Sequence, residues 1–150
     1  DAPQPGVADL PALIGATRDA GVDITATLAL DADADDGIDV DALPPSLQLA
    51  LYRVAQESLS NVVRHARGAE VYVGLERVGP ELWLTIENGP SGEDADAGAA
   101  SDQGGHGIRG MVERMTSVGG TLDTGVIAGG GYRVVARAPY PSGAGEEGAA

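Results

Sequence analysis

The sequence predicts an α+β domain, and three observations carry that expectation. A 20-residue amphipathic stretch without Gly or Pro sits between β-rich runs, those runs pair off around turn residues, and the total of 150 residues fits one domain with its own core. Hydrophobic residues make up 43% and charged residues 21%, near globular averages, while Gly 23 and Phe 0 point to a light fold packed with Leu, Val and Ala. There is no Cys, which excludes disulfide frameworks, thiolate metal sites and Cys nucleophiles. Two histidines, His65 and His106, leave no imidazole set for zinc.

Leu10, Leu13, Ile14 and Thr17 recur at helical spacing and stop at Gly21, predicting a short first helix with its usual terminator. Val22 to Leu28 then alternates apolar and polar or small side chains, the period of a half-buried strand. Asp31, Asp33, Asp35, Asp36, Asp39 and Asp41 form an acidic loop that ends at Pro44-Pro45. Leu47 to Ala66 carries Leu47, Leu51, Val54, Ala55, Leu59 and Val62 at 3.6-residue spacing, which predicts the longest helix.

Val71–Leu75 and Leu82–Ile86, joined through Arg77-Val78-Gly79-Pro80, read as a hairpin. Residues 89–105 hold mostly Gly, Ala, Ser, Pro and acids, and are expected to form a flexible insert. Ile108, Met111, Val112, Met115 and Val118 mark another helix, closed by Gly119-Gly120. Thr121–Ile127 and Tyr132–Ala138 close the domain as a strand pair, and residues 141–150 read as a frayed tail.

The formal net charge is −14, from 23 acids against nine Arg and no Lys, a field that repels nucleic-acid backbones and acidic membrane surfaces. No run of about 18 apolar residues and no export leader occurs, so the domain is expected to make no membrane contact and to be cytoplasmic. A start at Asp1-Ala-Pro-Gln-Pro, without Met, suits a piece of something longer.

Three constellations could carry chemistry. Glu57, Asn61, Arg64 and His65 fall on one stripe of the long helix. Such a stripe also suits the solvated edge of an amphipathic helix, but a carboxylate and an amide oxygen are hard donors for Mg²⁺, and Arg and His meet anionic oxygens. Gly104-Gly105-His106-Gly107-Ile108-Arg109-Gly110 opens into a helix, where backbone amides can approach phosphate; a flexible linker has the same composition. Glu87-Asn88-Gly89-Pro90-Ser91-Gly92 leaves a strand end, as an ordinary turn does, with a polar side chain positioned to read a base edge. A protein of this charge holds a polyanion such as ATP only through local correction by a divalent cation, helix amides and a few Arg or His groups.

In order along the chain, Leu51-Tyr52-Arg53-Val54-Ala55-Gln56-Glu57-Ser58-Leu59-Ser60-Asn61-Val62-Val63-Arg64-His65-Ala66, then Asn88-Gly89-Pro90, then Gly105-His106-Gly107-Ile108-Arg109-Gly110-Met111-Val112-Glu113-Arg114, then Gly119-Gly120-Thr121-Leu122, resemble the ATP-binding catalytic domain of bacterial sensor histidine kinases. The resemblance covers about residues 8–140 and is nearest to the subfamily that signals to helix-turn-helix response regulators. It implies a two-layer sandwich, the Bergerat ATP-binding fold, with a mixed sheet covered by helices on one face. The domain would span residues 1–140 with residues 89–105 as an ATP lid, followed by a disordered tail at 141–150.

By the same resemblance, Asn61 coordinates Mg²⁺, and Glu57 orients a metal-bound water or assists proton removal, making these two the catalytic and metal residues. Arg64 and His65 approach the phosphates. Asn88 and Gly92 belong to the base-reading box. Gly105, His106, Gly107, Ile108 and Gly110 belong to the box whose amides cradle the phosphates. Asn88 stands where the family usually carries Asp, Pro90 where Gly is common, and Tyr132 where a small hydroxyl residue often reads the base. The implied cofactors are ATP and Mg²⁺. Implied partners are a dimerisation domain bearing the phosphoacceptor histidine, which no segment here supplies, and a response regulator; the parent would be a homodimer. Alternative readings are a nucleotide-binding module with little or no kinase activity and an anti-sigma-factor serine kinase on the same fold.

Overall fold

The computed structural model describes residues 3–66, 68–90 and 96–141, and the side chains of all of these except those of residues 96–106. The elements are α1 (Leu10–Asp19), β1 (Asp23–Leu28), α2 (Pro45–His65), β2 (Glu70–Val78), β3 (Glu81–Asn88), α3 (Asp96–Ser117), β4 (Thr121–Val126) and β5 (Tyr132–Pro139). The five strands form one mixed sheet in the order β1-β2-β3-β5-β4. β1 and β2 pair in parallel through a crossover that contains α2, and the other pairs are antiparallel. The expected α+β architecture, with helices layered on one sheet face, is the one observed.

Alternation along the strands decides which face the helices cover. Val71, Val73 and Leu75 of β2, Leu82, Leu84 and Ile86 of β3, and Val134, Ala136 and Ala138 of β5 are buried on the helix side. Opposite them lie Leu10 and Ile14 of α1, Leu51, Val54, Ala55, Leu59 and Val62 of α2, and Met111 and Met115 of α3, all in one continuous core. The other sheet face is covered by its own long polar side chains. The Arg137 guanidinium lies 4.4 Å from the Trp83 ring centroid and 3.4 Å from the Asp123 carboxylate, and Arg133 reaches Glu87 across the strands at 2.7 Å.

Local chemistry sets the boundaries. Pro45 begins α2, where its missing N–H costs nothing, and Arg64 and His65 end it, where positive charge suits the helix dipole. Gln48 of α2 accepts from the Val7 amide and donates to the Val40 and Leu43 carbonyls, fastening the residues before α1 and the end of the acidic loop to the helix. Arg18 donates to the Ile24 carbonyl of the edge strand β1 at 3.0 and 3.2 Å, linking the end of α1 to the sheet.

Two expectations change. The first hairpin turns on Gly79-Pro80 alone, because Val78 pairs with Glu81 and Gly79 supplies the positive φ of 61° that a two-residue turn needs. α3 starts at Asp96, so residues 96–105 of the expected 89–105 lid are helical. The physical reason lies in Ala97, Ala99 and Ala100, strong helix formers whose small size looked like linker composition, with acidic Asp96 favourable at a helix start. Residues 91–95, including Gly92, and the tail at 142–150 lie outside the described residues.

Candidate functional site

The C-terminal half of α2 presents the predicted polar stripe beside the buried row Val54, Ala55, Ser58, Leu59 and Val62. Glu57 and Asn61 are half-buried one turn apart. Arg64 folds back along the helix to meet both. Its Nη2 donates to Asn61 Oδ1 and lies 3.6 Å from Glu57 Oε2, while Nη1 donates to Ser60 Oγ at 2.7 Å. Oxygens from Glu57 and Asn61 therefore converge on one cationic group. A carboxylate with an amide carbonyl is a donor set suited to Mg²⁺. His65 occupies the last position of α2, half-buried.

α3 packs against this half of α2. A β-carbon built on Gly107 would lie 2.8 Å from Glu57 Oε2, so the α3 backbone passes directly beside the carboxylate. One turn further on, Met111 Sδ accepts a hydrogen bond from the buried Ser58 hydroxyl at 3.7 Å. The polar stripe of α2 and the glycine-bearing segment of α3 thus meet directly, and not through a helix start. Because α3 begins at Asp96, Gly105, His106, Gly107, Ile108 and Gly110 lie inside the helix, where backbone N–H groups are directed to carbonyls four residues earlier. The predicted cradle of first-turn amides is therefore corrected in this conformation. Ile108 packs against the core, and a β-carbon at Gly110 would meet nothing within 4 Å.

Asn88 ends β3 at the same end of the sheet. Glu70, which begins β2 shortly after α2 finishes, accepts from the Gly89 amide at 2.9 Å, and Asn88 pairs with Val71 on one side and Tyr132 on the other. Its Nδ2 donates to the Gly89 carbonyl at 3.0 Å, leaving Oδ1 as the acceptor end of the amide. Gly131 closes over this corner: a β-carbon there would lie 2.1 Å from the Asn88 carbonyl oxygen. The structure thus brings Glu57, Asn61, Arg64 and Gly107 into contact and sets Asn88 at the adjacent strand end. Sequence reasoning missed Ser60, Ser58 and Gly131. Ser60, four residues before Arg64, had a legible helical spacing, whereas Gly131 had no local signal.

No family model matches the chain. Among curated proteins, it is 40% identical over 85 residues to the signal transduction histidine-protein kinase/phosphatase UhpB of Salmonella typhimurium, an overlap covering 57% of this chain and 16% of that protein. It is 37% identical over 82 residues to the sensor histidine kinase MctS of Rhizobium johnstonii, covering 55% and 18% respectively. This chain is a homologue of sensor histidine kinases. The homologue spans less than a fifth of the length of either of those relatives.

Its fold agrees with solved kinases. The histidine kinase domain of the Erythrobacter litoralis blue-light activated kinase EL346 superposes with a TM-score of 0.61 at 19% identity, over 88% of this chain and 58% of that one. ShkA, solved full-length in complex with AMPPNP, superposes at 0.54 and 15% identity, over 93% and 32%. At such identities these likenesses speak for the fold. Among the described residues, no helix of the homologue is long and apolar enough to cross a membrane.

Proposed function

We propose that this chain is the ATP-binding catalytic domain of a two-component sensor histidine kinase, transferring the γ-phosphoryl group of ATP to a histidine on a separate dimerisation domain for relay to a response regulator. The observation that carries the reading is the convergence of Glu57 and Asn61 on one cationic group beside Gly107, in a chain homologous to sensor histidine kinases. The domain would face the cytoplasm as part of a dimeric parent. Its boundaries would be residues 1–140, with the segment around 89–105 acting as the lid over nucleotide.

Phosphoryl transfer asks the protein mainly for positioning and charge neutralisation. Asn61 Oδ1 and the Glu57 carboxylate would hold Mg²⁺, which would supply neutralisation of the phosphate charge. Glu57 would also hold the proton leaving the incoming imidazole. Arg64, and His65 next to it, would bind phosphate oxygens. Asn88 Oδ1 would accept from the adenine amino group, with Gly92 completing that box. Gly105, His106, Gly107, Ile108 and Gly110 would reach the phosphates only if the first turns of α3 unwind and release their amides.

The test is to mix the domain with a fragment of its parent carrying the dimerisation helices and with γ-labelled ATP. Label appearing on histidine of the fragment, and lost with Asn61→Ala, is the expected result. Nucleotide binding without transfer would favour the binding-module reading instead.

A further inference from the structure

Arg64 is more than a phosphate ligand waiting on the helix surface. Its guanidinium is tied at three points: Ser60 Oγ at 2.7 Å, Asn61 Oδ1, and the Glu57 carboxylate at 3.6 Å, two helical turns back. Ser60 and Asn61 lie within one turn of Arg64, and the guanidinium, with its side chain 48% exposed, still extends along the helix toward Glu57. Here the side chain lies against the two oxygens that the reading above gives to a divalent metal, and it brings a positive charge to the point where that metal's charge would sit.

The geometry points to Arg64 as an internal cation that competes with divalent metal for Asn61 and Glu57, so that metal is admitted only together with nucleotide. This rests on the reading of α2 as a metal-nucleotide site. Three physical steps support it. A divalent ion binding Asn61 Oδ1 at about 2.0–2.1 Å would lie within a few ångströms of the guanidinium, a strongly repulsive arrangement. Free metal therefore has to displace an arginine that holds three hydrogen-bonding or ionic partners. A triphosphate changes the balance, because its oxygens offer the planar guanidinium charged, bidentate acceptors better than an amide and a hydroxyl. As Arg64 turns to phosphate, Asn61 and Glu57 are released together.

Metal and nucleotide binding are thereby coupled, each favouring the other by the same factor. Arg64 acts as a positioning residue for the metal ligands, in addition to any contact with phosphate. Ser60, which has no part in the nucleotide boxes, anchors the guanidinium in its folded-back position.

The experiment uses Mn²⁺ alone as the probe, titrated into the nucleotide-free chain and followed by the electron paramagnetic resonance of the unbound ion. The wild-type chain should bind Mn²⁺ weakly. Arg64→Met should bind it at least about tenfold more tightly, and Arg64→Lys should fall between, because a single ammonium cannot span both oxygens. Adding Asn61→Ala to Arg64→Met should abolish the gain, which places the ion at this site. Far-ultraviolet circular dichroism checks folding, and Ser60→Ala gives an independent variant, expected to tighten Mn²⁺ binding by a smaller factor. Equal Mn²⁺ affinity in wild type, Arg64→Met and Ser60→Ala would overturn the inference. The broader reading fails separately: it is lost if Mn-ATP binding is indifferent to Asn61→Ala, whereas Asn61-dependent Mn-ATP binding with unchanged Arg64 variants removes only the competition.

Discussion

Gly107 of α3 passes so close to Glu57 of α2 that a β-carbon at position 107 would lie 2.8 Å from the carboxylate oxygen Oε2. The neighbour it would meet is the far end of a flexible side chain, so the helices need not separate. Gly107→Ala replaces a poor helix former with the best one, a gain of up to about 1 kcal/mol, while pushing the Glu57 carboxylate aside. The expected outcome is an unchanged or raised melting temperature together with phosphotransfer reduced by tenfold or more. Thermal melts and labelled-ATP assays on the same preparation check it.

Gly131 tests a different kind of contact. Its added β-carbon would fall 2.1 Å from the Asn88 backbone oxygen, which cannot swing away as a carboxylate does. Gly131→Ala should therefore cost about 1–3 kcal/mol of stability, in the range of overpacked sites, and shift the corner that holds Asn88. Urea unfolding measures the loss. A variant as stable as wild type would show that this corner yields more easily than its geometry indicates.

On the proposed reading, Asn88 offers the adenine amino group a neutral amide oxygen. Because hydrogen bonds to ionised acceptors are roughly twice as strong as neutral ones, Asn88→Asp should tighten adenine nucleotide binding by about fivefold. The corresponding guanine nucleotide, which lacks the amino donor at that position, should gain nothing. Competition titrations with both nucleotides decide it.

On the sheet face away from the helices, Arg133 and Glu87 pair at 2.7 Å with their side chains 48% and 33% exposed. A cross-strand pair in that setting contributes about 0.2–1 kcal/mol and weakens with salt. A double-mutant cycle with Arg133→Ala and Glu87→Ala should return a coupling in that range at low salt and less at high salt. Nucleotide affinity should be unaffected, since the pair lies on the opposite side of the sheet from α2.

Much of this arrangement was legible in the chain because it rests on periodicity and punctuation. The row Leu47, Leu51, Val54, Leu59 and Val62 marked α2, and the β-rich runs Val71–Leu75 and Leu82–Ile86 around turn residues marked a hairpin. The polar stripe of Glu57, Asn61 and Arg64 followed from the same helical geometry. What failed was the start of α3. Alanine and glycine carry no hydrophobic period, so Asp96–Gly105 resembled a linker although alanine also favours helix. Contacts between elements far apart in sequence, such as Gly131 over Asn88 and Gly107 against Glu57, depend on backbone approach that local composition does not encode.

On the proposed function, α2 supplies a shared metal-nucleotide site through Asn61 and Glu57. Calorimetric titration of ATP into the wild-type chain and Asn61→Ala, each with Mg²⁺ and with chelator, tests it most directly. Wild-type binding should weaken by tenfold or more without Mg²⁺, and variant binding should be weak and insensitive to the metal. Equal Mg²⁺ dependence in the two proteins would contradict it.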